Sequence, residues 1–328
     1  MATKQDNVAD SFWIDELNNL WKVQMQGDKI KQEKLDTNNI TQVVGCQDHL
    51  VVVGENGRCW GIGSNHDGQL SGGTFSYTFN FVRVYGIDNV VKVAVGQRNT
   101  VFLDIDGKVW ACGGNQIGQI SSSYDPKIFS PIAIAGFPQC VAISAGPESI
   151  YAVDIDGAVW SAGYSAINPI EFNTDPDTNS RRLRKFKFET PIADVSASQN
   201  ACLFASEDGR TLWRCTQAGK CSMTTFDDGI KQISETKVRS MVLDGAGVLW
   251  SWYDNESGFE RFPGYEGQLT SFLYPSNCRV LYLCTVDGNG IAVIPDNFWQ
   301  TNITLEFVPL DVSNNGIGKP QKKSARKG

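Results

Sequence analysis

The chain repeats a β-hairpin unit, and this repetition leaves few folds open to it. Three segments align with one another: VVGCQDHLVVVGENGRCWGIGSN from Val43, VAVGQRNTVFLDIDGKVWACGGN from Val93 and ISAGPESIYAVDIDGAVWSAGYS from Ile143. Each contains two short apolar strands, an Asn-Gly or Asp-Gly turn, and a third strand entered through tryptophan. These tryptophans stand at positions 60, 110 and 160, so the unit recurs every 50 residues. A period of this length predicts an array of small sheets.

Weaker copies extend the repeat over nearly the whole chain. EDGRTLW ends at Trp213, GAGVLW ends at Trp250, and VDGNGI puts Ile291 where the tryptophan would stand. Upstream, FWIDELNNLW ends at Trp21, with two asparagines as its turn residues. Asn-Gly and Asp-Gly tolerate the positive φ that a two-residue hairpin turn demands. We therefore expect seven hairpins.

Seven such hairpins predict an all-β fold, a single closed β-propeller of about seven antiparallel blades. An isolated hairpin is marginally stable, whereas radial repetition buries both faces of each sheet and protects its edges. The segment 305–312 looks like the first strand of another unit, while the Trp21 hairpin lacks its first strand. We therefore expect the two chain ends to share one blade. The expected organisation is a flexible N-terminus at 1–10, a propeller at 11–313 and a disordered basic tail at 314–328.

Several motifs of the chain resemble those of the regulator of chromosome condensation repeat family. They are A-G-x-x-S at 145–149, the D-G-x-V-W hairpins, and G-x-N-x-x-G-Q-hydrophobic at 63–70 and 113–120. The resemblance covers nearly the whole chain, is strong from about residue 43 to residue 162, and implies a seven-bladed β-propeller.

The chain departs from the family pattern at one repeated position. The family usually has histidine three residues after the repeat glycine. His49 is similar to it, but stands one residue out of step with Gly45. The chain is therefore identified as a divergent member. The other copies have Asn99, Ser149, Ala201 and Arg239 at this position.

Composition and charge argue against several kinds of function. Only His49 and His66 could support histidine-based catalysis, so we expect no enzyme and no catalytic residue. A net charge of −7 argues against a body that coats nucleic acid non-specifically. No apolar run approaches the ~18 residues of a membrane helix, and the N-terminus lacks a secretory signal. These features predict a soluble, intracellular protein of the nucleus or cytoplasm.

No cofactor or metal site is predicted. The 9 cysteines lie mostly inside apolar runs, so we expect reduced core residues rather than a disulfide framework. Cys215 and Cys221 are the nearest approach to a zinc site, but they lack a second pair. Four aspartates stand in a pattern similar to a calcium loop: Asp104, Asp106, Asp154 and Asp156. Because they alternate with apolar residues on a strand, we expect them to face solvent.

Two segments interrupt the repeat and are the functional candidates. The first is the insertion after Trp160, in which an acidic, proline-bearing stretch passes into RRLRKFKF at 181–188. Its basic residues could bind an acidic partner surface or a phosphate backbone. The alternative is an amphipathic edge strand whose leucine and phenylalanines pack inward while the charges are solvated. The predicted partner-binding residues are Arg181, Arg182, Arg184, Lys185 and Lys187.

The second candidate is the C-terminal segment KPQKKSARKG, which cannot fold alone. Such tails act as nuclear localisation signals or as electrostatic tethers to nucleic acid or acidic proteins. The alternative is a tail that only solubilises the chain. The predicted electrostatic residues of the tail are Lys319, Lys322, Lys323, Arg326 and Lys327.

The predicted function is a non-catalytic scaffold whose surfaces bind one or more protein partners. Rigid sheets with variable loops suit this function. The family resemblance implies a first alternative, guanine-nucleotide exchange on a Ran-like small GTPase, in which a loop displaces the nucleotide phosphates and magnesium. A second alternative is a chromatin- or nucleic-acid-associated protein anchored by the basic tail. No membrane partner is predicted.

Overall fold

A computed structural model shows a chain built from short β-strands, and no helix occurs in its described part. Within the same ranges, no helix could therefore cross a membrane. The described residues are 11–15, 17–26, 29–35, 39–46, 48–72, 75–122, 125–163, 183–216, 219–236, 239–253, 258–262, 267–273, 281–285, 290–295, 305–310 and 321–323.

The strands form seven antiparallel sheets, which we number in chain order. Sheet 1 contains β1 (Ser11–Ile14), β2 (Leu20–Gln26) and β3 (Lys29–Lys34); sheet 2 contains β4 (Ile40–Gly45), β5 (His49–Gly54), β6 (Cys59–Gly63) and β7 (Thr78–Arg83). Sheet 3 contains β8 (Val90–Val95), β9 (Asn99–Asp104), β10 (Val109–Gly114) and β11 (Lys127–Ala133); sheet 4 contains β12 (Cys140–Ala145), β13 (Ser149–Asp154), β14 (Val159–Gly163) and β15 (Arg184–Phe186). Sheet 5 contains β16 (Ile192–Ala197), β17 (Ala201–Ser206), β18 (Thr211–Thr216) and β19 (Cys221–Thr225); sheet 6 contains β20 (Ile230–Glu235), β21 (Arg239–Asp244), β22 (Leu249–Tyr253) and β23 (Glu260–Arg261). Sheet 7 contains β24 (Leu269–Leu273), β25 (Leu281–Thr285), β26 (Gly290–Pro295), β27 (Leu305–Leu310) and β28 (Gln321–Lys323).

The predicted all-β propeller is confirmed, whereas seven complete blades and a closed ring are not. Sheets 2 to 7 have four or five strands each and are six propeller blades, while sheet 1 has three strands. Among the described residues, no strand of sheet 1 pairs with a strand of sheet 7. The strands of every sheet follow one another in sequence, because short connections favour pairing between neighbours in the chain.

The prediction that the two chain ends share one blade is wrong. β27 pairs along its whole length with β26 and is therefore the fourth strand of sheet 7. The hairpin that contains Trp21 takes its third strand from β3, which follows it directly. β28 adds to the outer side of β27, so Gln321–Lys323 of the predicted tail form a strand. The domain boundaries themselves stay predictions.

Each hairpin turn of the clear repeats contains three residues rather than the predicted two. In sheet 3, Asp104 N donates to Lys108 O at 3.1 Å, and Gly107 N donates to Asp104 O at 3.0 Å. Of the Asp-Gly pair, the glycine alone has a positive φ, which is 77° at Gly107. This arrangement is a type I turn followed by a left-handed glycine, a common three-residue hairpin connection.

The left-handed turn residue also joins its sheet to the next sheet. Gly107 O accepts a hydrogen bond of 2.7 Å from Cys140 N, the first residue of β12. The same bond recurs at every junction from sheet 1 to sheet 7. Its donor is always the first residue of the first strand of the next sheet, which we call the innermost strand of that sheet. The pairs are Asn18–Ile40, Gly57–Val90, Gly107–Cys140, Gly157–Ile192, Gly209–Ile230 and Gly247–Leu269.

Apolar side chains fill the spaces between consecutive sheets. Between sheets 3 and 4, for example, Val101 and Leu103 pack with Ile143 and Ile150. Corresponding buried clusters lie at the other junctions from sheet 1 to sheet 7. Because each sheet covers the apolar face of its neighbour, burial of that face couples the units into one structure.

The expectation that the cysteines are reduced is wrong for one pair. Cys215 of β18 and Cys221 of β19 are directly opposite in register and form a disulfide, with Cα atoms 4.1 Å apart. Directly opposite positions of antiparallel strands bring two Cβ atoms close enough together for their sulfurs to bond to each other. Six other described cysteines carry free thiols: Cys46, Cys59, Cys112, Cys140, Cys202 and Cys284.

Alanine at two turn glycines separates backbone strain from steric overlap. A Cβ on Gly57 would lie 2.7 Å from Asn89 Cα and 2.8 Å from Val90 N, whereas a Cβ on Gly209 would meet nothing within 4 Å. Their φ angles are almost equal, at 67° and 68°. We expect Gly209→Ala to lower the free energy of unfolding by about 1–2 kcal/mol, the cost of a left-handed non-glycine residue. Gly57→Ala should cost about 1–3 kcal/mol more, because its Cβ overlaps backbone of the next sheet.

Urea denaturation of the two variants and the wild type measures this difference. Equal losses in the two variants would contradict the close approach of the turn to the next sheet.

Candidate interaction surfaces

Aspartates at the start of the hairpin turns hold most of the repeated tryptophans. In sheet 4, Asp154 Oδ2 accepts a hydrogen bond of 2.7 Å from Trp160 Nε1. Its other oxygen accepts from the backbone N–H groups of Asp156 and Ala158 in the turn. One carboxylate therefore fixes both the turn and the indole ring. The pairs are Asp15–Trp21, Asp104–Trp110, Asp154–Trp160 and Asp244–Trp250.

The prediction that the four aspartates face solvent is confirmed for Asp106 and Asp156, which are exposed, and wrong for Asp154, which is buried, and Asp104, which is half-buried. The carboxylates of Asp104 and Asp154 fold back over their own turns, where N–H donors satisfy them. Burial disfavours the charge of Asp15, but hydrogen bonds from Trp21 and Asn19 outweigh burial and hold its pKa below 3.8. In the described part of the chain, no group of three or more His, Cys, Asp or Glu residues is placed to hold a metal ion.

A cation covers the ring face of several of these tryptophans. Lys185 of β15 is opposite Trp160 in register, and its Nζ lies 4.9 Å from the ring centroid. The same Nζ is 3.6 Å from Asp154 Oδ2. Lys185, predicted to bind a partner, therefore has a structural contact in its own sheet. The other outer-strand pairs of this kind are Arg83–Trp60 and Arg261–Trp250.

The other predicted basic residues lie in different surroundings. Arg184 is half-buried in β15, and Lys187 is exposed. Phe186 and Phe188, which alternate with the basic residues, are buried in the core between sheets 4 and 5. The described part of this segment is thus an amphipathic edge strand, and partner binding by it stays a prediction. Arg181, Arg182, Lys319, Arg326 and Lys327 lie outside the described residues, and Lys322 and Lys323 are described only as backbone of β28.

His49 takes part in a chain of hydrogen bonds that links sheets 2 and 3. Thr100 Oγ1 donates to Gln69 O at 2.7 Å, so it accepts from His49 Nε2 at 2.9 Å. His49 Nδ1 lies 3.5 Å from Cys46 Sγ. Burial lowers the pKa of His49 to about 3, so the ring is neutral and structural.

The alignment that put His49 out of step is wrong by one residue. Cys46 N donates to His49 O, as Gly96 N donates to Asn99 O and Gly146 N donates to Ser149 O. Cys46, rather than Gly45, therefore occupies the place of the repeat glycine. Glycine is required at Gly96 because a Cβ there would lie 2.5 Å from the backbone oxygen of Gly146 in the next sheet.

The innermost strands surround a central cavity of about 200 Å³. Lys92 Nζ in sheet 3 and Asp194 Oδ1 in sheet 5 are 2.7 Å apart across its wall. The corresponding position of sheet 4, between them, holds the small side chain of Ala142. Gln42 Oε1 accepts from Val93 N of the neighbouring sheet at 2.9 Å. These polar groups bond to one another or to backbone, so they link the sheets.

The G-x-N-x-x-G-Q motif builds the loop between β6 and β7. Asn65 Oδ1 accepts from Leu70 N at 2.9 Å, and Asn65 Nδ2 donates to Gly72 O at 2.7 Å. Strand direction places this loop opposite the hairpin turns, on a side that we name the loop face. The turn side is named the turn face.

Four aromatic side chains lie exposed at the rim of the loop face. Phe75, Tyr77 and Phe79 come from sheet 2, and Phe129 comes from β11 of sheet 3. Their exposed fractions range from 46% to 82%. The ring centroids of Phe75 and Phe129 are 4.4 Å apart, and those of Tyr77 and Phe79 are 4.9 Å apart. We name these four residues the aromatic surface.

The charges beside the aromatic surface are paired. Lys127 Nζ lies 3.1 Å from Asp67 Oδ1, and Arg98 Nε lies 3.9 Å from Asp67 Oδ2. Lys127 also donates to His66 O at 2.9 Å. The apolar surface therefore lies beside two cations that share one carboxylate.

The sequence interpretation missed the aromatic surface. In FSYTFNF at 75–81, aromatic residues alternate with polar ones, and this alternation places Phe75, Tyr77 and Phe79 on one side. The pattern was available in the sequence. It does not reveal which side is covered, because burial depends on the neighbouring sheet.

One family matches the chain in sequence. Residues 90–119, which run from β8 to the loop after β10, match the regulator of chromosome condensation (RCC1) repeat. The match covers one repeat of the propeller. The chain is a β-propeller that contains an RCC1-like repeat.

Solved structures share this RCC1-like fold. Human WBSCR16 has a TM-score of 0.66 and 18% identity, with 80% of this chain and 78% of that chain covered. Prp20p from Saccharomyces cerevisiae has a TM-score of 0.59 and 15% identity, with 75% of this chain and 70% of that chain covered. Yeast RCC1 (Prp20) bound to Kap60 has a TM-score of 0.59 and 14% identity, with 75% of this chain and 68% of that chain covered. At these identities the likeness shows the fold alone. No curated protein matches the chain significantly.

Phenylalanine at two repeat tryptophans tests the aspartate contact. Trp160→Phe leaves a buried acceptor on Asp154 without its indole donor, which costs about 1–3 kcal/mol of unfolding free energy. In sheet 2 the place of that aspartate is held by Gly54, so Trp60→Phe removes no such bond. We expect Trp160→Phe to lose about 1–2 kcal/mol more than Trp60→Phe in urea denaturation. Equal losses would show that the carboxylate contact adds nothing to ring packing.

Acidification should destabilise the fold through His49. The unfolded chain binds a proton at this histidine below about pH 6.5, but the folded chain binds it only near pH 3. Between these values the unfolded state holds more protons, so stability falls as the pH falls, by up to ~1.4 kcal/mol per pH unit. We expect His49→Asn to flatten the dependence between about pH 5 and 6.5. His66→Asn, at an exposed turn residue, is the control. Its free energy of unfolding, measured by urea denaturation, should depend on pH as that of the wild type does. An unchanged pH dependence in His49→Asn would refute the attribution to His49.

Proposed function

We propose that the chain is a non-catalytic interaction scaffold that binds a protein partner through the aromatic surface of its loop face. The carrying observation is that Phe79, a large apolar side chain, is 82% exposed and contacts Tyr77 at the rim. Clustered exposed aromatic side chains are typical of protein-binding sites. The proposed scaffold includes sheet 1 as a seventh unit of the propeller.

The chemistry of the aromatic surface supports a protein partner over nucleic acid. A site for single-stranded nucleic acid combines stacking rings with a positively charged groove. Here Lys127 and Arg98 share the single carboxylate of Asp67, so the local charge is about +1, far from the row of cations that such a groove needs. Rigid aromatic rings bury much apolar area at low entropic cost, and a partner with apolar side chains would gain most from them.

The basic segments are proposed as additional contacts for an acidic partner. Lys187 is exposed, while Lys185 is held by Trp160 and Asp154. Deleting the whole insertion would remove the buried Phe186 and Phe188, so a deletion would test folding as well as binding. Charge-neutralising changes at Arg181, Arg182 and Lys187 are the cleaner variants.

The second candidate is guanine-nucleotide exchange on a Ran-like small GTPase. It is favoured by the RCC1 repeat and by the likeness to Prp20p, whose structure was reported with its binding properties to Gsp1p and histones. The same likeness supports the tail-anchored chromatin alternative. Incubation with nucleotide-loaded small GTPases separates the first two proposals, because a scaffold leaves nucleotide release at its uncatalysed rate.

Removal of two aromatic side chains tests the scaffold proposal. We expect Phe79→Ser with Phe129→Ser to lower recovery of specifically captured proteins by about tenfold or more, since hot-spot rings contribute about 2 kcal/mol or more each. Quantitative affinity capture from cell extract, followed by cross-linking to locate the contact, measures the effect. Because both side chains are exposed, the double variant should fold as the wild type does.

Met223→Ser is the matched control. Met223 is also a largely exposed apolar residue on an outermost strand, but it lies in sheet 5. If the double variant and this control recover equal amounts of captured protein, the aromatic surface is not the docking site.

A further inference from the structure

Two positions of each repeat reach the turn face. The first is the turn residue that follows the position of the tryptophan-binding aspartate. The second is the second residue of each innermost strand. The register of β4, β8, β12, β16, β20 and β24 shifts between their first and third residues, which leaves the second residue unpaired.

At the first position the fold requires only backbone. Ile105 N donates to Asn89 O at 3.0 Å, and Ile155 N donates to Gln139 O at 3.1 Å. The other described turns form the same bond from Glu55, Glu207 and Gly245. A glutamate or glycine therefore serves the fold as well as isoleucine does.

The second position shows the same freedom. Val91 in sheet 3 and Val141 in sheet 4 are about half exposed. The corresponding residues of the other innermost strands are Thr41, Ala193, Lys231 and Thr270. Sheets 3 and 4 thus have large apolar side chains at both positions, where folding does not need them.

Backbone hydrogen bonds bring the turns and strand ends that carry the four apolar side chains side by side. Gly107, two residues after Ile105, accepts its hydrogen bond from Cys140, the residue before Val141. This bond places the turn of sheet 3 beside the exposed start of sheet 4. We name Val91, Ile105, Val141 and Ile155 the apolar turn patch; their exposed fractions range from 49% to 70%.

Acidic side chains surround the apolar turn patch. Asp106 and Asp156 follow the two isoleucines and are exposed. Glu55 in sheet 2 and Glu207 in sheet 5 lie at the equivalent turn positions on either side. The cation of the sheet 3 turn, Lys108, lies over the Trp110 ring, with its Nζ 4.8 Å from the ring centroid. The flanking turns each add one arginine, Arg58 and Arg210, so the carboxylates of these turns still outnumber the cations. Negative charge therefore frames an apolar centre.

We propose that the apolar turn patch is a second binding site, for a protein segment that presents apolar side chains flanked by lysine or arginine. Apolar contact supplies the burial, and the acidic frame selects against acidic partners. The site lies on the opposite face from the aromatic surface, so it neither depends on that surface nor competes with it. A scaffold with both sites can hold two proteins at once.

The test uses the full chain and three fluorescent peptides of about four helical turns. One peptide places leucines on one helix face and lysines on the other, the second replaces lysine by glutamate, and the third replaces leucine by serine. We expect the Leu–Lys peptide to bind at least about tenfold more tightly than either of the others, by fluorescence anisotropy. Equal binding of the Ser–Lys peptide would reduce the effect to the net charge of −7 and overturn the proposal. Absence of Leu–Lys binding, or equal binding of the Leu–Glu peptide, would also overturn it.

Substitutions that follow the other repeats locate the site: threonine stands at the valine position in sheets 2 and 7, and glutamine is the neutral counterpart of the glutamates at the isoleucine position in sheets 2 and 5. Val91→Thr, Val141→Thr, Ile105→Gln and Ile155→Gln combined should weaken Leu–Lys binding by about tenfold or more, and Asp106→Asn with Asp156→Asn should weaken it and lower its salt dependence. The control Met223→Gln should bind as the wild type does, and so should the variant with Phe79→Ser and Phe129→Ser. Wild-type affinity in the four-residue variant would place the peptide elsewhere. Loss of Leu–Lys binding in the variant with Phe79→Ser and Phe129→Ser would place the peptide on the loop face and overturn the proposal. Unchanged partner capture by that variant would bear only on the loop-face proposal.

Discussion

The backbone hydrogen bond from each left-handed turn residue to the next innermost strand organises this molecule. The positive φ at Gly107 directs its carbonyl outward, where Cys140 N of the following sheet donates to it. Asn18 forms the same bond at the first junction with a φ of 60°, because asparagine also tolerates this conformation. The required property is therefore the backbone conformation. With one such bond at each junction from sheet 1 to sheet 7, every sheet has a defined position against its neighbour, and the apolar faces between them meet in register.

A second recurring device makes charged residues structural. The carboxylate of Asp154 caps its own turn and holds the Trp160 indole, while Lys185 covers the ring from the outermost strand. In sheet 2, Gly54 occupies the place of that aspartate and the Trp60 ring packs close above it. The aspartate contact is thus one of two ways to seat the ring. Asp154, which resembles a calcium-loop residue, and Lys185 of the basic segment serve the fold here, because a buried carboxylate needs donors and a nearby cation.

Function is expected where the fold makes no demand on the side chain. Repeats supply their own comparison, because equivalent positions experience the same backbone geometry. Glu55, Ile105 and Ile155 form the same backbone bond, yet only the two isoleucines expose apolar surface. The aromatic surface is different, since it comes from a loop and from the outer edges of two sheets. Together they give the propeller an apolar site on each face.

The amino-acid sequence by itself determined the all-β class, the hairpin positions and the kind of repeat, because turn glycines and tryptophans act through local backbone geometry. It left the partners of each strand end and the exposed sides of each strand open. The segment 305–312 reads equally well as an inner or an outer strand, and only pairing with β26 made it an outer one. Likewise, Asp154 alternates with apolar residues as a solvated carboxylate would, but the Trp160 indole and the turn amides bring it inside. Tertiary structure decided these points because burial is a property of the space between sheets, which no single repeat contains.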